Sequence, residues 1–249
     1  MIGRVLLVCL SAFLVGGVGL YVASRNQEPA VRRSRLTKFI TYFCIVTLVV
    51  AAAFAGSAVL AGLMAVVVAL GARELYRVLP QASRGHLSAA LGIGAFYLLV
   101  AAGAVGFSLT APANTAVFVY LVVCAFDGFS QVCGQMLGRH RLAPRISPGK
   151  TIEGSVGGLL AAAGMALVLR PLVGWSLPRS LLACCFIVAA ALTGDLLASL
   201  VKRRSGIKDY GNLLPGHGGI LDRFDSFLFA AAACMLAEVA ARLFGRALL

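Results

Sequence analysis

Long apolar runs separated by short polar stretches repeat along the whole chain. The hydrocarbon core of a bilayer is ~30 Å thick and takes about 20 apolar helical residues to cross. Eight runs approach this length: 5–23, 39–55, 57–72, 87–107, 115–136, 153–169, 180–201 and 224–245. The apolar stretch 39–72 is too long for one crossing, and Gly56-Ser57 is the natural turn within it. The pattern predicts an all-α, polytopic integral membrane protein with about eight transmembrane helices.

The first run, 5–23, has a second interpretation. It follows Arg4, as a signal peptide would, but Val22-Ala23-Ser24 is a weak cleavage site and the run is long for such a segment. We therefore expect a retained helix.

Lys and Arg are unevenly divided between the two sides of this predicted bundle. Among the loops, one side carries only Arg170 and Arg179, whereas the other carries the basic segments 25–38, 73–84, 139–150 and 202–223. Because an excess of Lys and Arg marks cytoplasmic loops, we expect the four basic segments in the cytoplasm and both termini outside.

The composition fits a membrane protein made of one domain. The hydrophobic fraction is 60 %, the charged fraction is 12 % and the mean hydropathy is +0.94, whereas a soluble domain has about 25 % charged residues. The net charge of +13 is concentrated at the ends of apolar runs, so it favours lipid headgroups and phosphates over nucleic acid as partners. We expect a single membrane domain, 1–249, with N-terminal helices in 1–110 and catalytic helices in 111–249.

The seven cysteines do not change this interpretation. All lie in apolar segments and none forms a C-x-x-C pair, which disfavours a disulfide framework or a zinc site.

Acidic residues are scarce, and some occur where a charge is costly. Asp195 lies in an apolar run, where an ionised side chain costs ~2.5–3.5 kcal/mol and is usually functional or paired. On a helix it shares a face with Ser199 and Lys202, and Asp222 shares a face with Asp225. We expect Asp195 and Asp222 to bind a divalent cation, with Asp225 as a further candidate, because Mg²⁺ takes one or two carboxylates plus water and phosphate oxygens. The alternative is that these acids only neutralise neighbouring cations.

Two further acids lie in apolar runs. Asp127 shares a helical face with Ser130, Gln131 and Gln135, and a wall of the substrate site and an interhelical hydrogen bond are equally plausible roles for it. Glu238 has Arg242 four residues later, which predicts a structural ion pair.

Two basic loops on the predicted cytoplasmic side carry the remaining candidates. In loop 138–154, Ser147-Pro148-Gly149 turns the chain, and Lys150, Thr151 and the following helix start could meet an anion. Glu153 lies in the first turn of that helix. The P-loop pattern is absent, and taken alone this loop is a weak signal.

Loop 201–225 is the stronger candidate. Its glycine-rich segment 215–219 lets the backbone approach a ligand, and Asp222-Arg223-Phe224-Asp225 follows at once. Four cations, several free backbone amides and a pair of acids suit phosphoryl or nucleotidyl transfer, which depends on positioning and charge neutralisation. His217 is a candidate phosphate donor, general acid or base, or turn residue.

These residues resemble a known family. The segments are Ser199-Leu200-Val201-Lys202-Arg203, Lys208-Asp209, Pro215, His217-Gly218-Gly219 and Asp222-Arg223-Phe224-Asp225. Together they look like the C-terminal signature of the phosphatidate cytidylyltransferase (CDP-diacylglycerol synthase) family. The stretch 142–154 resembles the second cytoplasmic motif of that family, and Gly194-Asp195 resembles its acid on the preceding helix. The resemblance covers roughly 120–226.

The resemblance implies a reaction and roles for these residues. Members condense CTP with phosphatidic acid to CDP-diacylglycerol and pyrophosphate, with Mg²⁺ and a companion K⁺. Asp195 and Asp222 would be metal ligands, and a cytoplasmic active site in a bacterial inner membrane is expected. The phosphate-binding set would be Lys202, Arg203, Lys208 and Arg223, with Asp127 and Asp209 also at the substrate. The residues closing the site would be Ser147, Lys150, Thr151 and Glu153.

One departure keeps other interpretations open. After Asp127 the family continues with small residues and an aromatic, whereas Gly128-Phe129-Ser130-Gln131 stands here. The acceptor could therefore be another lipid, such as an isoprenoid or ether-linked phosphate or a lipid alcohol. A non-catalytic paralogue and a transporter are further alternatives, although no pseudo-symmetric halves are visible. Homodimerisation is left open.

Overall fold

The computed structural model of the protein describes residues 27–214 and 218–245. Of the first 26 residues it describes only Gly3, Phe13, Leu14, Gly17, Tyr21 and Arg25. Most of the predicted span 5–23 and the candidate His217 lie outside the described residues.

Seven long helices make up the described part of the chain. They are α1 Pro29–Ala55, α2 Ser57–Ala82, α3 Leu87–Thr110, α4 Ala113–Leu137, α5 Ile152–Val173, α6 Leu177–Arg204 and α7 Leu221–Leu243. Each is long and apolar enough to cross a membrane, which confirms the all-α, multi-pass class. The predicted eighth span is the run 5–23.

Two helices extend well past the apolar runs that predicted them. Helix α1 begins at Pro29 rather than near residue 39, and α2 continues to Ala82 rather than ending near residue 72. The added turns carry Arg and Lys, which are good helix formers but break the apolar pattern. Apolar length therefore underestimated these helices at their charged ends.

Close packing of small residues brings α4 and α5 together. A Cβ atom added at Gly157 would lie 2.5 Å from Cys133 Sγ, and one added at Gly158 would lie 2.7 Å from the carbonyl oxygen of Phe126. The backbones approach this closely only because these positions lack side chains. The first half of α4 is buried, from Thr115 to Phe126, and its Phe118 side chain is fully inaccessible.

Helix α7 packs against both α3 and α6. Gly103 of α3 lies against Ala232, and Gly194 of α6 lies against Phe229, with room for no further side-chain atom at either glycine. The Glu238–Arg242 pair at the far end of α7 is confirmed, with Arg242 Nε 3.0 Å from Glu238 Oε1. Helix α7 thus begins beside the candidate loops and ends far from them along the chain.

The predicted loop 138–154 contains a small β-hairpin. Strand β1, Arg141–Ala143, pairs antiparallel with β2, Ser147–Thr151, and the register is irregular between residues 141 and 143. The strands are too short, and β2 too rich in Pro and Gly, to give a recognisable strand pattern. The hairpin leads directly into α5, whose first turn is capped by the Thr151 hydroxyl, an acceptor for the amide of Gly154 at 3.0 Å.

Candidate active site

The hairpin docks on the polar face of α6 through an ion pair. Lys150 Nζ in β2 lies 2.5 Å from Asp195 Oδ2. The other oxygen of Asp195 accepts a hydrogen bond from Ser199 Oγ at 3.2 Å, as the shared helical face predicted. Both ion-pair side chains keep about a fifth to a quarter of their surface exposed, so this pair is open to solvent and to ligands.

A second ion pair is buried where α6 and α7 meet. Lys202 Nζ lies 2.9 Å from Asp222 Oδ1, and the Asp222 side chain is only 1 % exposed. Asp222 Oδ2 accepts hydrogen bonds from the amides of Tyr210 and Gly219, both at 2.8 Å. A buried carboxylate is tolerable only when it is paired and hydrogen-bonded in this way. Asp222 therefore binds the connection between α6 and α7 at two points of its backbone.

Tyr210 supports the same ion pair from the loop. Its hydroxyl donates to the carbonyl oxygen of Ala198 at 3.0 Å, and Lys202 Nζ lies 5.4 Å from the centre of its ring. Burial, and then the nearby carboxylates, raise the pKa of Tyr210 well above its usual range. The hydroxyl therefore stays protonated and remains a hydrogen-bond donor.

Three helices each contribute one carboxylate to a common cluster. Asp127 of α4, Asp195 of α6 and Asp225 of α7 interact electrostatically with one another. The Asp127 carboxylate is hydrogen-bonded to the Ser226 side chain, and Asp225 Oδ1 accepts from the Ser226 amide at 2.8 Å. Asp127 therefore makes the interhelical hydrogen bond considered for it, and its role as a wall of the substrate site stays a prediction.

The carboxylates of the cluster could hold a divalent cation only if a substrate and water supplied further ligands. Within residues 27–214 and 218–245, no group of three His, Cys, Asp or Glu side chains is arranged to hold a metal on its own. Mg²⁺ needs only one or two carboxylates when phosphate and water supply the rest. Asp195 contacts Lys150 and Ser199 but its side chain is 24 % exposed. The Asp222 side chain is 1 % exposed, and both of its oxygens are engaged by Lys202 and two amides. Metal binding by Asp195, Asp222 and Asp225 stays a prediction.

Two of the predicted site residues, Arg203 and Glu153, make contacts that hold the loops in place. Arg203 Nε donates to the carbonyl oxygen of Ile146 and its Nη1 to that of Ile207, both at 3.2 Å. Glu153 accepts from the amides of Arg139, at 3.0 Å, and His140, at 3.2 Å, and lies 2.6 Å from His140 Nδ1. These residues shape the rim of the site.

Other predicted residues stay accessible at the rim. Lys208, Asp209 and Arg223 are exposed, and the charge of Arg223 acts on Asp127. Ser147 opens β2, opposite Ala143. Lys208 and Arg223 are therefore accessible to a phosphate arriving from solvent.

Sequence reasoning missed one buried acid of the site, Glu74 of α2. It is 4 % exposed, and its two oxygens accept the amides of Ile220 and Leu221, each at 2.9 Å. The signal was available in part, since Glu74 lies on the same helical face as the buried Gly71 and Val78. Its partner lies 146 residues away and could not be read from the pattern.

The amides of the α6–α7 connection are consequently less available than expected. Those of Tyr210 and Gly219 donate to Asp222, and those of Ile220 and Leu221 donate to Glu74. The expectation that they are free for phosphate is wrong for these four.

An apolar cleft of about 260 Å³ adjoins the acid cluster. Helices α3, α6 and α7 supply most of its walls, including Phe96, Leu197 and Phe229. Its charged lining residues are Asp225 and Arg204. A polar site and an apolar cleft thus share the Asp225 side chain.

Comparisons with known proteins identify relatives of the part of the chain that contains this site. The cytidylyltransferase family model matches residues 110–239. Phosphatidate cytidylyltransferases of Staphylococcus saprophyticus and Bacillus subtilis are 46 % and 42 % identical over 114 residues, which is 45 % of this chain and 44 % and 42 % of theirs. That of Staphylococcus haemolyticus is 45 % identical over the same length, covering 45 % of this chain and 44 % of its own.

The aligned segment thus spans less than half the length of these relatives. The match begins near the predicted division at residue 110, which itself stays a prediction. The matched range includes both ion pairs, the three clustered carboxylates and the hairpin. The chain belongs to the cytidylyltransferase family.

Proposed function

We propose that the protein transfers the cytidylyl group of CTP to phosphatidic acid, giving CDP-diacylglycerol and pyrophosphate. The observation that carries the proposal is the contact between a carboxylate cluster with neighbouring cations and an apolar cleft, both bordered by Asp225. A nucleotide triphosphate suits the first, and the acyl chains of a lipid suit the second. The relatives that match the chain are named for this reaction.

The acceptor needs little activation. A phosphate oxygen of the lipid attacks the α-phosphorus of CTP, the bond from that phosphorus to the bridging oxygen breaks, and pyrophosphate leaves. Since a phosphate monoester is already a nucleophile, no strong general base is required. The protein has to position two anions and neutralise their charge.

The chain's own residues divide this work between them. Lys208 and Arg223, exposed at the rim, would bind the triphosphate, while Lys150 holds the hairpin against Asp195. Of the three acids predicted to bind metal, Asp195 and Asp225 would hold Mg²⁺ where it can meet a substrate, and Asp222 is a further candidate. The ion when bound would neutralise phosphate charge. The companion K⁺ and a role for His217 remain proposals that rest on the family resemblance.

The positive charge of the loops around the site supports a cytoplasmic orientation. Basic residues of segments 139–150 and 202–223 surround the site, and those segments carry the positive charge typical of cytoplasmic loops. CTP is a cytoplasmic nucleotide, and the inner membrane of a bacterium is the setting that the bacterial relatives favour.

The apolar cleft supports an acceptor with hydrocarbon chains. Its wall residues are almost all apolar, and Arg204, which is also in the lining, would offer a cation to a lipid phosphate. Membership in the cytidylyltransferase family disfavours a transporter.

The test is lipid-dependent release of pyrophosphate by the purified protein with CTP and Mg²⁺. We expect release with phosphatidic acid, little without lipid, and loss in Asp195→Asn. Glu238→Gln is the matched control because its ion pair lies at the other end of α7. Release that ignores the lipid, or that survives in Asp195→Asn, would contradict the proposal.

A further inference from the structure

Glu74 joins the N-terminal helices to the start of α7. Its carboxylate is 4 % exposed and accepts two consecutive amides, Ile220 on Oε1 and Leu221 on Oε2. Helix α2 lies outside the segment 110–239 that matches the family. A residue outside the matched segment therefore holds the backbone at the point where the acidic motif begins.

The surroundings of Glu74 are shaped for a carboxylate. A Cβ atom added at Gly219 would lie 2.5 Å from Glu74 Oε1, and one added at Gly211 would lie 2.8 Å from the same oxygen. One turn earlier on α2, a Cβ at Gly71 would lie 3.1 Å from Leu221 Cγ. The loop and α2 meet at Glu74 with no space for another side chain.

Charge favours the same arrangement. The first amides of a helix lack partners within the helix and carry a partial positive charge, so a carboxylate there is stabilising. In many nucleotide-binding proteins a phosphate takes that place. Here Glu74 takes it, which leaves phosphate recognition to side-chain cations.

Two buried acids together fix three consecutive amides. Asp222 accepts the amide of Gly219, and Glu74 accepts those of Ile220 and Leu221. The start of the helix also carries Arg223, whose charge acts on Asp127, and Asp225, which belongs to the acid cluster. Any shift of this turn would move Asp222, Arg223 and Asp225 together.

We propose that Glu74 is a positioning residue of the active site, which holds the first turn of α7 so that Arg223 and Asp225 meet the substrate. The effect on rate rests on the proposed function. The effect on the backbone amides does not, and it can be measured separately.

The test uses Glu74→Gln, which keeps the shape but turns one acceptor into a donor facing an amide. We expect amide hydrogen exchange in 219–226 to rise roughly tenfold or more, as when one buried hydrogen bond is lost and a donor is left unpaired. We also expect kcat to fall by roughly tenfold with the KM for phosphatidic acid little changed, because the apolar cleft is untouched. Glu238→Gln should change neither quantity.

Glu74→Asp is the second variant, and it also serves if Glu74→Gln does not fold. It keeps the charge and both oxygens, so it should restore part of the exchange protection and part of kcat. Unchanged exchange in 219–226, or faster exchange with an unchanged kcat, would overturn the proposal. If the wild-type protein turns over no lipid, the proposed function is rejected, and exchange at Asp222–Ser226 alone decides whether Glu74 positions this turn.

Discussion

Replacing Lys202 by Met would leave the buried Asp222 carboxylate without its cation. The two groups lie 2.9 Å apart, with side chains 11 % and 1 % exposed. Met has a similar length and fills the same space, so the change removes charge with little loss of packing. Asp222 keeps its hydrogen bonds from Tyr210 and Gly219.

The expected cost follows from this burial. Removing one partner of a buried ion pair costs about 3–5 kcal/mol because the other charge stays uncompensated. Because Asp222 keeps two hydrogen bonds from backbone amides, we expect Lys202→Met to cost about 3 kcal/mol, near the lower end of this range. At about 2–4 °C per kcal/mol for a chain of this size, the melting temperature should fall by about 6–12 °C.

Thermal unfolding of the purified protein in detergent measures this directly. Lys208→Met is the matched control, because it removes an exposed cation from the same connection and should shift the melting temperature by no more than about 2 °C. The reasoning is refuted if Lys202→Met has the same melting temperature as Lys208→Met, since the buried Asp222 carboxylate would then not depend on its ion pair.

The remaining predictions concern close packing and the apolar cleft. Gly92 lines the cleft with open space at its Cβ position, so Gly92→Leu should raise the KM for phosphatidic acid several-fold. The control is Gly94→Leu on the same helix, which is equally unhindered and should leave this KM unchanged. Equal KM values for the two variants would exclude the cleft as a lipid site. Gly158→Ala would push a methyl group against Ser130 Oγ and the α4 backbone and should cost about 1–3 kcal/mol of stability. In Gly164→Ala the added methyl group would contact no other atom, so this control should hardly change the stability in the same unfolding assay. A loss of stability as large as that of Gly158→Ala would contradict the packing argument.

Features that depend on local pattern could be predicted from the sequence. The apolar runs indicated the helices, the four-residue spacing predicted the Glu238–Arg242 pair, and the helical face of Asp195 predicted its bond to Ser199. These contacts lie within one helix, where spacing along the chain determines proximity.

Features that depend on how helices meet could not be predicted in the same way. Asp127, Asp195 and Asp225 lie on three helices, and no periodicity indicates that they converge. Asp222 was identified as an acid of the site, but its burial against two loop amides depends on the path of the connection. Glu74 lies beyond the apolar run 57–72 that predicted α2, so the hydropathy pattern did not indicate that its side chain is buried.

The central claim is transfer of the cytidylyl group to a lipid phosphate, and the fate of the α-phosphorus of CTP tests it most directly. The purified protein would be incubated with phosphatidic acid, Mg²⁺ and CTP labelled at either the α- or the γ-phosphorus. The account predicts label in the lipid extract from α-labelled CTP only, with γ-label recovered as pyrophosphate, and neither product in Asp195→Asn. Label from the γ-phosphorus in the lipid would instead indicate a kinase reaction and would contradict the account.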